Sequence, residues 1–539
     1  MKRTTYWLYG ILLLAFLVRV WGVGNQDMLG DESADAFRSI GYIDYLGTEF
    51  QTQPVVWYKN TTLPQWTSLS FHDAPPLGFL IQHITFALFG DSLLTARLPA
   101  ILLGTGAVYL IYLITRRLWN ETAGLGAAFW YAIAGGSVWI FRTSLLEPLL
   151  IFFILLNIYI FLRFLEDRRW WWLFGLSLGA IALTKYTGVF LIPVYGIYTL
   201  LVRRTVWRDW RWYTSFGVAL LVFSPVLIYN FYLYQAVHHF DLQLAYLLGQ
   251  DVSREWTGLL GKIQDPFSRI WVNLIATYGW ISVVGILTAI AYGIGYLLKR
   301  KEWQLALPIL YLVWVTAILY FIGSAPRFLS LYGPASAILI GWAVARLLEM
   351  RIRTGRIVLI SVVALLCYGE IVFMFQKVFV TYPNYGVAAL DNYFNQEFKG
   401  KESAVTPQTE NPHLNEVINR FAEKKVKGPR MFSMIIYDDV IALPTLEWIF
   451  YRRFFYHSIP TMYIENFQAT LNREGSNYFK NFTLYFVEST EHTLLNQIKA
   501  GKPIGAAMEK GLQQSGFQPV RHIYGHDHQE MFRVYKFTI

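Results

Sequence analysis

One cysteine in 539 residues, Cys367, excludes an intramolecular disulfide framework and any cysteine-built metal site. Charge is scarce too: 15% of residues are charged and 55% are hydrophobic, a balance too apolar for a soluble protein of this size. No internal repeat or low-complexity tract stands out. No Gly-rich phosphate loop or dinucleotide fingerprint occurs in a strand-to-helix context, which argues against a nucleotide ligand. The net charge of +10 raises the question of nucleic acid. Most of the basic excess sits in short loops between apolar runs, where it sets membrane orientation, so nucleic acid is not an expected partner.

What is abundant is long apolar sequence and aromatic rings. Aromatics make up 17% of the chain, including 20 Trp and 35 Tyr, which suits repeated membrane–water interfaces. A spanning helix needs about 20 mostly apolar residues. On that rule the chain reads as about eleven spans (range 10–13), near residues 5–23, 94–115, 122–141, 145–163, 170–184, 186–202, 213–235, 272–298, 304–323, 328–348 and 357–377. The first follows Lys2-Arg3, lacks a convincing small-residue cleavage site, and is expected to be retained. The fifth and sixth are short and meet at Leu183-Thr184-Lys185-Tyr186-Thr187-Gly188, as in a shallow hairpin or one bent helix.

Threaded in this way, the clusters Arg116-Arg117, Arg168-Arg169, Arg203-Arg204 and Lys299-Arg300-Lys301 all fall on one side, as the positive-inside rule requires. The opposite side receives a first loop (24–93), a second (236–271, with His238, His239, Asp241, Asp251, Arg254 and Glu255) and a polar tail from 380. Runs such as Met431–Tyr437, Leu484–Glu488 and Met531–Ile539 read as strands, and Asn415–Lys425 and Leu443–Phe454 as helices. The expected architecture is a mainly α polytopic membrane domain (1–379, including the loop 24–93) followed by an extracytoplasmic soluble α/β domain (380–539).

That same side collects an unusual set of ionisable residues. Charges beside a hydrocarbon slab are costly and point to a site. Asp31-Glu32 follows the first span; an N-cap role alone would also explain it. His72-Asp73-Ala74-Pro75-Pro76 places an acid and an imidazole at a rigid turn. Arg142 and Glu147 flank a span boundary, where mutual pairing is the bland alternative, and Lys185 and Arg327 are single cations in apolar sequence that could simply snorkel.

Together these residues resemble the GT-C membrane glycosyltransferases that use polyprenyl-phosphate sugars, near the protein O-mannosyltransferases and the lipid A aminoarabinose transferases. The resemblance covers most of the first 350 residues. It rests on the Asp31-Glu32 pair, the Pro75-Pro76-Leu77 turn, Thr95-Ala96-Arg97-Leu98-Pro99, and Arg142 with Leu145-Leu146-Glu147-Pro148. Leu183-Thr184-Lys185-Tyr186-Thr187-Gly188 and Arg327-Phe328 are similar to family segments as well. One departure stands out: many relatives read His-Pro-Pro, whereas Asp73-Ala74 separates His72 from the prolines here, and Ala74 stands where the aminoarabinose transferases have a basic residue.

The resemblance implies inverting transfer of a sugar from a polyprenyl-phosphate donor to a lipid, glycan or protein hydroxyl outside the cytosol, at a plasma (inner) membrane. Asp31 is then the general base and Glu32 its helper, while Lys185, Arg327 and Arg142 stabilise the donor phosphate. His72, Asp73, Arg97 and Glu147 complete the expected substrate contacts. No cofactor is required by this reading; a divalent metal on Asp73, His238 and His239 is an alternative, since zinc accepts such N/O ligands. A transporter or flippase for a lipid-linked saccharide is the rival, although it would place charges near mid-membrane.

Overall fold

The computed structural model describes every residue except 1, 47–52, 59–60, 251, 253–266, 350–352, 424–428, 439–440, 491–504 and 526–527. Asp251, Arg254 and Glu255 of the second loop therefore lie outside the described residues. The chain divides into two compact units, and each is built from separate stretches of sequence. The first comprises Met1–Val23, Gln65–Ile81 and Arg97–Tyr382; the second comprises Gly24–Pro64, Gln82–Ala96 and Pro383–Ile539.

The first unit is helical. Among the described residues of the whole chain, eight helices are long and apolar enough to cross a membrane, from Thr4–Asn25 to Val363–Val380. The expected count of eleven is not reached, and the shortfall has local causes. The span expected at 122–141 is two helices, Glu121–Ile133 and Gly135–Ile140, broken at Ala134. The Gly135 N–H at this break is met by Glu370 Oε1 at 2.5 Å, as buried backbone at such a site requires. The helix Trp171–Thr184 ends in one extended residue, Lys185, and the 3-10 turn Tyr186–Phe190 leads into the short helix Leu191–Val202.

Side chains define several ends. Asn120 caps Glu121–Ile133 by accepting from Ala123 N–H at 2.9 Å, and Asp209 caps Trp210–Val237 through Arg211 N–H at 3.0 Å. Inside, helices meet where small residues let backbones approach. Gly175 and Gly179 pack on Trp210–Val237 so closely that a Cβ at Gly175 would lie 2.2 Å from the Ser215 carbonyl oxygen. Asn157 ties three helices together: its amide donates to Phe174 O and Ser177 Oγ, and it accepts from Tyr195 OH at 2.6 Å.

The second unit is α/β. Two short strands, β1 (Glu402–Ser403) and β2 (Arg430–Met431), pair in parallel. The main sheet contains β3 (Ser433–Tyr437), β4 (Thr461–Tyr463), β5 (Thr483–Ser489), β6 (Pro519–Tyr524) and β7 (Glu530–Phe537), in the order β4-β3-β5-β7-β6. β3 is parallel to both neighbours, with Ser433 opposite Thr483, and all five of its residues are buried, as for a strand covered on both faces. The strand and helix runs expected in the tail are present, apart from Lys424-Lys425, which lie outside the described residues; β1, β4 and β6 were not foreseen. Helices pack on this sheet around Phe37, Ile40, Phe86, Trp448 and Phe455, so residues of the expected first loop share the core of the tail.

Candidate active site

In the second unit, Asp31 is the first residue of helix α2 (Asp31–Gly41), preceded by Gly30 at a positive φ of 50°. Asp31 is exposed, whereas Glu32 is 1% exposed and turns back so that its Oε2 accepts from Leu29 N–H at 3.3 Å. Glu32 thus serves the start of the helix. Within the same first turn, Ser33 Oγ lies 2.8 Å from Oε2 of Glu447, a fully buried acid in the π-helical turn Leu446–Tyr451. Burial pushes the Glu447 carboxyl up to about 8; Asp35 and Asp31 add to the rise, and Ser33 and Arg38 oppose it. Sequence reasoning missed Glu447, because nothing in a tail helix tells which distant segment its acid will face.

In the first unit, Glu147 opens the helix Glu147–Glu166, where Pro148 suits the first turn. Its carboxylate receives Lys185 Nζ at 2.5 Å, with Glu147 2% and Lys185 17% exposed. Lys185 Nζ and Arg327 Cζ each lie 4.8 Å from the Phe328 ring centroid, and Arg327 also acts electrostatically on Glu147. Residues 147, 185 and 327, scattered in sequence, therefore converge on one spot. The corner carrying Arg327 is held by Tyr278, whose hydroxyl contacts Leu329 O and Ser330 O.

Arg142 serves the end of helix α1 (Lys2–Val20), and Arg97 the 3-10 turn Val23–Asn25 that follows it. Arg142 Nη1 donates to Val18 O at 2.9 Å and Arg19 O at 3.2 Å, while Arg97 Nη1 donates to Val23 O at 2.6 Å. Cations at carbonyls left over by a helix end are favourable there. Both guanidinium groups are almost completely buried.

The His72-Asp73 turn is stapled to the second loop. Leu242 N–H donates to His72 O at 2.8 Å, Gln243 Nε2 donates to Asp73 O at 2.9 Å, and the His72 and His239 rings meet edge to face at 5.6 Å. Beside them Asp241, fully buried, accepts from Tyr186 OH and Asn230 Nδ2, each at 2.7 Å, and from Leu244 N–H. Burial pushes the Asp241 carboxyl up, and these donors pull against it. Asp73 acts electrostatically on Tyr186 as well. The metal set does not assemble: His238 is exposed at a helix end, and among the described residues no three His, Cys, Asp or Glu side chains are placed to share an ion. Tyr186 and Asp241 stood in segments the sequence had singled out, yet no signal paired them.

Comparison with known proteins adds to this geometry. Residues 73–229 match the family model described as dolichyl-phosphate-mannose-protein mannosyltransferase. The undecaprenyl phosphate-alpha-4-amino-4-deoxy-L-arabinose arabinosyl transferase of Pseudomonas aeruginosa strain LESB58 is 29% identical over 175 residues, 30% of this chain and 31% of the relative. The matched region thus spans about a third of that relative's length. The crystal structure of ArnT from Cupriavidus metallidurans bound to undecaprenyl phosphate superposes with a TM-score of 0.55 at 14% identity, covering 99% of this chain and 98% of the other. The chain has an ArnT-like fold. The apo oligosaccharyltransferase of Archaeoglobus fulgidus shares it, with a TM-score of 0.55 at 14% identity over 90% of this chain and 70% of the other. With eight long apolar helices among its described residues and this fold, the chain is an integral membrane protein.

Proposed function

We propose that the protein transfers a sugar from a polyprenyl-phosphate donor to a hydroxyl outside the cytosol, with inversion at the anomeric carbon. The observation that carries this reading is the convergence of Lys185 and Arg327 on Glu147 and Phe328. The sugar passes to the acceptor oxygen and the polyprenyl phosphate leaves as a phosphate monoester, so the bridging oxygen gains negative charge as the C1–O bond breaks. Fixed cations in a water-poor setting favour that charge, and losing one such contact costs about 3 kcal/mol of barrier. Glu147 holds the Lys185 ammonium in place, and Phe328 gives both cations an apolar face to lie against. Arg142, with bonds on carbonyls of α1, has the smaller share in phosphate binding.

The acceptor must lose its proton as the new bond forms, which needs a carboxylate within hydrogen-bond reach. Asp31 is assigned that role because it is exposed at the first position of a helix. His72 and Asp73, anchored to the second loop, are assigned to sugar or acceptor hydroxyls. The likeness to ArnT, solved with undecaprenyl phosphate, supports the donor class. No step runs through a metal.

The test is mass spectrometry of products from purified protein offered a panel of polyprenyl-phosphate sugars with lipid, glycan and peptide acceptors. Transfer from a lipid-phosphate donor, lost in Asp31→Asn, is expected. Transfer from a nucleotide sugar alone would overturn the donor, and full activity of folded Asp31→Asn would overturn the base.

A further inference from the structure

Ser33 Oγ lies 2.9 Å from the Gly30 carbonyl oxygen and 2.8 Å from Glu447 Oε2. A serine hydroxyl has one proton to give and two lone pairs to receive with. A carbonyl oxygen can only accept, so with one serine proton both contacts are hydrogen bonds at once only if Glu447 supplies the proton to Ser33 and Ser33 gives its own to Gly30. The hydroxyl–carbonyl bond also closes the turn on which Asp31 stands, since Gly30 and Ser33 bracket it.

The surroundings agree with a neutral Glu447. It is 0% exposed, and its other oxygen, Oε1, is buried with no hydrogen-bond partner. An ionised carboxylate in that position would be desolvated on an unpaired oxygen, whereas a neutral acid carries far less charge there. On α2 the charged groups that act on it are Asp31, Asp35 and Arg38, and Arg38 is engaged by Asp35 at 3.2 Å and Asp44 at 3.7 Å. Tyr45 also feels its charge. On the elements that follow and flank the π-turn, Arg452 and Arg453 are engaged by Asp391.

We propose that Glu447 is a positioning residue for the Asp31 site: as a neutral acid it donates to Ser33, which donates to Gly30, and this relay holds the first turn of α2 that presents Asp31. This rests on the reading of Asp31 as the base and gives the tail a part in the reaction. When Glu447 loses its proton, Ser33 must turn its hydrogen away from Gly30 toward the new carboxylate. A second negative charge then stands beside Asp31 and Asp35.

The test uses the full-length protein, with transfer measured on either side of pH 8. Glutamine keeps a donor and an acceptor but does not ionise. Glu447→Gln should therefore stay within about threefold of the parent at neutral pH and lack the parent's fall above pH 8. Ser33→Ala and Glu447→Ala should each lose about tenfold, and the double variant no more than either, because they cut one chain. A folded Glu447→Gln as impaired as Glu447→Ala, or one that keeps the parent's alkaline fall, overturns the proposal. A readout independent of transfer is the infrared difference between parent and Glu447→Gln at neutral pH, in which the parent should show one additional carbonyl band of a protonated carboxyl. Its absence from the parent overturns the proposal while leaving Asp31 untouched. Full activity of Asp31→Asn removes the base on which it rests, whatever the infrared shows.

Discussion

The Tyr186 hydroxyl donates to Asp241 across 2.7 Å, while its chain neighbour Lys185 reaches Glu147 at 2.5 Å. Consecutive residues thus brace the second loop and the start of a long apolar helix. One extended residue, Lys185, lets the two side chains diverge. The pairing explains why the chain leaves the helix at this point instead of continuing it.

Tyr186→Phe should destabilise the protein by about 1–3 kcal/mol, because a buried carboxyl loses a donor. The effect should depend on pH. Burial already raises the Asp241 pKa, and removing the tyrosine raises it further. A carboxyl raised in the folded state is tolerated below its unfolded pKa and becomes a burden as pH rises past it. Thermal unfolding in detergent should show a small loss in acid and a larger one at neutral pH; equal losses at both would refute the account.

Lys185→Ala should leave Glu147 charged and buried without its ion-pair partner, at a cost of about 3–5 kcal/mol. Lys185→Met with Glu147→Gln removes both charges and should recover most of the stability. Transfer should stay down by about 100-fold in the double variant, since the phosphate has lost a cation. Recovery of activity along with stability would show that the pair is structural only.

Asp391 should make the second unit acid-sensitive. Burial alone would raise its carboxyl, but Arg452 and Arg453 override this and hold it below the usual range. A lowered acid stabilises above its unfolded pKa of about 3.9, and that contribution disappears as pH falls toward the folded value. Hydrogen exchange at 387–397 should speed up in acid, and Asp391→Asn should exchange fast already at neutral pH. A variant as protected as the parent at neutral pH would contradict this.

Gly179→Leu should disrupt the membrane unit. Even a Cβ there would lie 2.6 Å from Val222 Cβ and 2.9 Å from the Ala219 carbonyl oxygen. Overpacking of this kind costs about 1–3 kcal/mol or more, and size-exclusion chromatography should show loss of the monodisperse species. An unchanged profile and melting temperature would mean that the helices have room to separate.

Much of the membrane unit was legible because hydropathy and loop charge act locally. Lys185, Arg327 and Glu147 were selected as charges the bilayer edge would not tolerate without purpose, and the structure gathers them. The break at Ala134 was hidden, since Gly135-Gly136 reads as apolar sequence and only Glu370, far along the chain, meets the freed N–H. His238 ends a helix and is exposed, a placement that spacing alone does not encode. Residues 24–64 and 82–96 joined the tail through rings such as Phe37 and Phe86, whose partners no local pattern names.

The amino-acid sequence by itself determined that the chain is a many-helix membrane protein with an α/β tail, because transfer from water to hydrocarbon depends on composition within about 20 residues. Only the tertiary structure decided which charges meet. Lys185 chose Glu147, and Ser33 came to lie between Gly30 and Glu447. Such pairings depend on the close approach of segments up to 414 residues apart, and that approach is set by packing rather than by local pattern.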